Sequence, residues 1–252
     1  MKRSAPPAEP IEMTILDHLD ELRKRLTWAF VCLIAGTLLS FIWTRPLLEF
    51  MLRYYDVPAL QTLGPTEGIQ TFFKVAIVSG AAVAMPGILL NLWWFISPGL
   101  EKNERRYVYI FIPSALSLFL GGAGFVLFVL LPVALRFLAD FQSDIFNAEW
   151  TAREYISFVT TFTFWLGVSF ELPIIVYFVA RVGLVGARTM REQWRAAIVA
   201  IAVIAAMVTP TVDPVTMVLT MAPLLFLYLL SLVLAAIGER QFNRSVALEE
   251  AT

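Results

Sequence analysis

Long apolar runs almost without charge recur along the whole chain, and several reach the roughly 20 residues that an α-helix needs to cross a ~30 Å hydrocarbon core. Leu26–Thr44, Phe72–Ile96, Val108–Leu135, Tyr155–Val182 and Val215–Ile237 are such segments, and Ala196–Val208 is a shorter one. In lipid, each backbone polar group has to be satisfied within its own segment, so these runs predict helices. The expected fold class is all-α: a polytopic membrane protein with six transmembrane helices in a bent, concave bundle, preceded by a short amphipathic N-terminal helix. The expected division is a flexible head over residues 1–13 carrying Pro6, Pro7 and Pro10, one transmembrane domain over 14–237, and a short charged, mobile tail over 238–252.

The first apolar run is too long for a signal-peptide core and lacks a small-residue cleavage site after it, so it is expected to stay in the mature protein. Lys and Arg gather in alternate connections. One side holds Lys2, Arg3, Arg23, Lys24, Arg25, Lys102, Arg105, Arg106, Arg181, Arg188, Arg191, Arg195, Arg240 and Arg244. The other holds Arg45, Arg53, Lys74, Arg136 and Arg153. The positive-inside bias places both termini in the cytoplasm, in agreement with an even number of crossings.

Span lengths are unequal. At 1.5 Å per residue, Ala196–Val208 reaches only about 20 Å, which draws the Thr209–Pro214 turn toward the membrane. Local bilayer thinning and burial against neighbouring helices both accommodate such a hairpin. Pro86, Pro113, Pro132, Pro173 and Pro223 fall within spans, where each removes a backbone hydrogen bond and favours a bend. Gly121, Gly122 and Gly124 are read as close-packing positions.

Several chemistries are excluded on composition. A net charge of −1 with 59% hydrophobic residues offers no concentrated basic face for nucleic acid. Cys32 is the only cysteine and His18 the only histidine, so an intramolecular disulfide and a multi-histidine metal site are both ruled out. The chain holds no phosphate-cradling glycine loop, zinc motif or nucleophile elbow, and neither an enzyme nor a cofactor is expected.

Three polar islands remain. Ile15, Leu16, Leu19, Leu22 and Leu26 recur at helical spacing opposite Asp17, Asp20, Glu21, Arg23 and Lys24, with Thr14 and Asp17 as a capping pair. These charges also suit a plain solvated face, with Asp20–Lys24 and Glu21–Arg25 as i,i+4 pairs. A second island, Ser97-Pro98-Gly99-Leu100-Glu101-Lys102-Asn103-Glu104-Arg105-Arg106, mixes acids with charge that alone would set topology. The third is Glu171, inside the fourth apolar run. A carboxyl at a helix centre in lipid costs about 2.5 kcal/mol or more, and such groups commonly face protein or water and mark function. A structural hydrogen bond to another helix and a proton relay are the other readings of Glu171, although no second acid lies inside the other spans.

Taken together, the islands resemble the TatC family, the polytopic subunit of the twin-arginine protein translocase. The resemblance runs nearly the full length. It includes His18-Leu19-Asp20-Glu21-Leu22-Arg23-Lys24-Arg25-Leu26, Pro46 after the first span, and Phe95-Ile96-Ser97-Pro98-Gly99-Leu100 leading to Glu104-Arg105-Arg106. It continues through Phe170-Glu171-Leu172-Pro173 and the turn from Thr209-Pro210 to Asp213-Pro214. Tyr54–Gly68 fits the family only loosely.

The resemblance implies a non-enzymatic receptor in the cytoplasmic (inner) membrane that recognises twin-arginine signal peptides of folded cargo and nucleates a translocase driven by the proton-motive force. Carried over residue by residue, Glu21 and Glu104 would receive the two guanidinium groups, Arg23 and Arg106 would shape the patch, and Phe95 would belong to it. Glu171, with Phe170 and Pro173, would dock single-span partners of the TatA or TatB type, and Pro46, Pro210 and Asp213 would form structural turns. Oligomerisation and contact with membrane lipids are further implications. The rival expectation is a proton-coupled small-molecule transporter, motivated by Glu171 and the prolines.

Overall fold

The computed structural model describes residues 15–55, 60–96, 108–141, 150–209 and 213–250. Among them the chain is helical, apart from an isolated parallel bridge between Gln61 and Thr151. The helices are α1 (Ile15–Tyr54), α2 (Glu67–Ile96), α3 (Val108–Phe125), a π-helical turn (Val126–Leu130), α4 (Leu131–Asp140), α5 (Ala152–Ser169), α6 (Leu172–Arg181), α7 (Ala187–Glu192), α8 (Trp194–Val208) and α9 (Pro214–Glu250).

Among the described residues, five stretches are long and apolar enough to cross a membrane: His18–Tyr54, Glu67–Phe95, Phe111–Asp140, Ala152–Arg181 and Pro214–Arg244. α8, with 15 residues, spans about 22 Å and falls short of the usual core, as its apolar run foretold. Aromatic contacts collect the helix ends on one side. His18 stacks on Phe95 with centroids 4.6 Å apart, and Trp93, Phe111 and Phe178 join α2, α3 and α6. Gln241 of α9 accepts from Tyr177 at 2.9 Å at this same end. The opposite end is tied by Tyr155, whose hydroxyl donates to the Met51 carbonyl at 2.9 Å, and by the buried cluster of Met51, Val75, Leu130, Leu131, Phe158 and Val208.

α1 and α2 pack through small residues. A Cβ on Gly36 would sit 2.4 Å from the Gly80 carbonyl oxygen, and one on Gly80 would sit 2.4 Å from Thr37 Cα. That closeness lets Ser40 Oγ donate to the Ala76 carbonyl at 2.6 Å. Without a hydrophobic force between helices in lipid, such van der Waals and hydrogen-bond contacts hold the pair.

The structure alters several boundaries. The amphipathic turns run without a break into α1, whose beginning they form. Pro46, expected at a turn, lies inside α1. A proline in a helix interior costs about 3 kcal/mol, but Leu47, Leu48, Met51 and Leu52 just beyond it pack into the core and hold the helix through Tyr54. The tail expected from Gly238 is the continuation of α9, which runs to Glu250 and docks on α6 and α7; Glu239 accepts from the Ala187 amide at 2.9 Å.

Pro132 and Pro173 do interrupt their spans, whereas Pro86, Pro113 and Pro223 stay inside continuous helices. Without an N–H, Pro173 cannot bond the Ser169 carbonyl, and α5 stops at Ser169 before α6 begins at Leu172. α6 ends with the amides of Gly183 and Leu184 donating to the Ala180 and Val179 carbonyls, each at 3.1 Å. Gly183 has φ 78°, the left-handed conformation that this helix termination requires.

Candidate functional site

The amphipathic turns of α1 lie against the end of α2. Glu21 is partly buried, and its Oε1 accepts from Arg25 Nη2 at 3.0 Å. Arg25 in turn lies over the Trp94 ring, 5.1 Å from its centroid. One turn earlier, His18 covers Phe95. The five side chains make a layered patch in which an acid and a guanidinium are held together on an aromatic floor. Arg25 Nε is buried with no hydrogen-bond partner among the described residues, so the guanidinium is not saturated by Glu21. Arg23 is exposed two residues along α1 from Glu21, and its carbonyl accepts from Thr27 Oγ1 at 2.8 Å.

The structure therefore brings Glu21 and Phe95 into one patch. It adds Arg25 and Trp94, which the sequence reading did not single out as site residues. Glu104, Arg106 and Pro210 lie outside the described residues.

Glu171 occupies the break between α5 and α6. It is 4% exposed and its Oε1 is buried without a hydrogen-bond partner among the described residues. Its carbonyl starts α6 by accepting from Ile174 and Ile175 at 3.2 and 3.1 Å. Phe170 turns inward, where a Cβ on Gly122 would meet its ring at 2.5 Å, and it packs on Phe125 and on the α8–α9 cluster around Ile201 and Leu224. Gly122 thus serves close packing as expected, while Gly121 and Gly124 face open space. Pro173 is buried beside the break.

Asp213 precedes α9 and caps it: Oδ1 accepts from the Thr216 amide at 2.6 Å, with Pro214 at the first helical position. On the near side of that turn, Thr209 Oγ1 donates to the Ala205 carbonyl at 2.8 Å. Asp213 thereby fixes the start of α9.

A further acid went unnoticed in the sequence. Glu67, buried at the start of α2, accepts from the amides of Leu63 at 2.7 Å, Gly64 at 3.3 Å and Arg153 at 2.8 Å. It fastens the 60–66 loop to the start of α5, where Thr151 caps Glu154 at 3.2 Å. Thr151-Ala152-Arg153-Glu154 is the signal that would have located this helix start.

These features define a polytopic helical membrane protein with an acid–guanidinium patch at one end of the bundle and, within a span, a buried carboxyl with one oxygen that has no hydrogen-bond partner among the described residues. The family model described as Sec-independent protein translocase protein (TatC) matches residues 17–223. A protein of that name from Koribacter versatilis is 40% identical over 87% of this chain and 84% of its own length. One from Helicobacter pylori (strain J99) is 37% identical over 86% of this chain and 87% of its own. A crystal structure described as the twin arginine translocase receptor TatC superposes with a TM-score of 0.79 at 32% identity, covering 88% of this chain and 99% of that one. The chain belongs to the TatC family. It is a multi-pass membrane subunit of the Sec-independent, twin-arginine protein translocase, not an enzyme, and the transporter alternative finds no support in these relatives.

Proposed function

We propose that this chain is the receptor that recognises twin-arginine signal peptides, with Glu21 and Glu104 as the acids that receive the two guanidinium groups. The observation that carries this reading is the Glu21–Arg25 pair on Trp94, beside His18 and Phe95. Glu21 already binds one guanidinium there, and an incoming arginine offers the same planar fork, which suits carboxylates better than a lysine ammonium does. Arg23 and Arg106 shape the patch. Basic residues concentrated at this end support cytoplasmic termini and a place in the cytoplasmic (inner) membrane.

Glu171, flanked by Phe170 and Pro173, is the docking point for single-span TatA- or TatB-type partners in an oligomeric complex driven by the proton-motive force. Its unpaired buried oxygen supports that assignment, since a polar side chain of a partner helix would satisfy it. α8 counts as the sixth crossing.

The test is binding of a synthetic twin-arginine signal peptide to the detergent-purified chain, against its Lys-Lys counterpart and with the variants Glu21→Ala and Glu104→Ala. Preference for Arg-Arg that either variant abolishes is the expected result. Equal binding by all combinations would refute the recognition site.

A further inference from the structure

The end of the bundle opposite the termini carries few cations, Arg45, Arg53, Lys74, Arg136 and Arg153, yet two of them meet at one cleft. Arg153 lines an open cleft of about 490 Å³ between α4 and α5, within the range of ligand-sized pockets. Lys74 of α2 donates to Ser157, which lines the same cleft, and Lys74 lies close enough to Arg153 for the two like charges to act on each other.

The obvious neutralising groups are engaged elsewhere or unpaired. Glu67 accepts from three backbone amides, one of them Arg153's own, and no ion pair joins Glu154 at the rim to either cation among the described residues. The rest of the lining is largely apolar and aromatic: Leu135 and Leu138 on one side, Trp150 stacked on Tyr155 with centroids 6.0 Å apart on the other. Ser157 accepts from Lys74 and keeps its hydroxyl hydrogen to donate. Cations and a hydroxyl beside a tryptophan and aliphatic walls, at the end of the spans, are the groups that meet an interfacial phospholipid.

We propose that this cleft binds an anionic glycerophospholipid of the adjacent leaflet, its phosphodiester between Lys74, Arg153 and Ser157 and its upper acyl chain along Leu135 and Leu138. The lipid supplies a counter-charge that no ion pair among the described residues gives the two cations. This site is independent of the signal-peptide patch, which lies at the other end of the bundle.

Lipid retention by the purified full chain, read by native mass spectrometry after exposure to phosphatidylglycerol or phosphatidylcholine, tests the assignment. Phosphatidylglycerol is retained in preference, and Arg153→Gln, which keeps the amide that Glu67 needs, lowers retention about fivefold, the worth of one basic side chain at an anionic surface. Arg153→Lys restores most of it, Arg136→Gln at the same end changes nothing, and excess inorganic phosphate does not displace the lipid. Equal retention of the two lipids, equal effects of Arg153→Gln and Arg136→Gln, or displacement by inorganic phosphate would each overturn the proposal.

Discussion

The hydroxyl of Tyr55, at the end of α1, donates to the Leu127 carbonyl at 2.6 Å, inside the π-helical turn. That carbonyl has no helical donor. The Leu131 amide, its α-helical partner, is directed instead to Val126, and the next residue, Pro132, has no N–H to offer. Burial raises the Tyr55 phenol well above its ordinary pKa, so it remains a donor across the working pH range. Tyr55→Phe keeps the ring and deletes the donor, leaving a buried carbonyl unsatisfied at about 1–3 kcal/mol. Thermal unfolding of the purified variant in detergent should show a clearly lower midpoint. An unchanged midpoint would mean that the π turn satisfies Leu127 by itself.

Glu67 fastens two segments far apart in sequence through three amides. Glu67→Gln retains one acceptor oxygen and places an NH2 against amide donors, so part of the clamp becomes repulsive. Hydrogen bonds to a charged group contribute about 1.5–3 kcal/mol each. Amide exchange at Leu63, Gly64 and Arg153 should accelerate at least tenfold in the variant, with Tyr177 and its neighbours unaffected. Uniform acceleration throughout the protein would point to global destabilisation and not to a local clamp.

Tyr55 and Glu67, each acting between segments far apart in sequence, show by contrast what a linear pattern conveys. Apolar run length gave the spans, the shortness of α8 and the end of α6, because bilayer thickness acts on each segment separately. The Glu21–Arg25 pair was legible for the same reason: both partners lie one turn apart on one helix. Pro132 and Pro173 announced disturbance but not its form, which depends on Tyr55 for one and on the packing of Phe170 against Gly122 for the other. Pro46 misled because the apolar residues beyond it are held by other helices. The layers His18–Phe95 and Arg25–Trp94 join α1 to α2 and leave no trace in either segment alone.

The glycines of α1 and α2 should separate sharply from the others. Gly80→Ala forces a methyl against backbone atoms of Thr37 and Gly36, where no side chain can swing away. Overpacking of this kind costs about 1–3 kcal/mol. Gly121→Ala meets nothing within 4 Å and gains helix propensity of about 0.8–1 kcal/mol. Unfolding midpoints should therefore move in opposite directions for the two variants; a parallel shift would contradict the close α1–α2 crossing.

Glu171 sets stability of the isolated chain against assembly. Its Oε1 is buried and unpaired, and an apolar residue of similar size removes that penalty while filling the same space between α5 and α6. Glu171→Leu should raise the unfolding midpoint of the purified chain, by the equivalent of about 1–3 kcal/mol. If the carboxyl is also the docking point proposed for TatA- or TatB-type helices, the same variant should recover less partner on co-purification from membranes. Glu171→Gln, which keeps hydrogen-bonding capacity, should retain more partner than the leucine variant. A leucine variant that is more stable and yet fully competent in recovering partner would keep the stability cost of Glu171 but remove its docking role, leaving the helix break itself, held by Pro173, as the feature that matters for assembly.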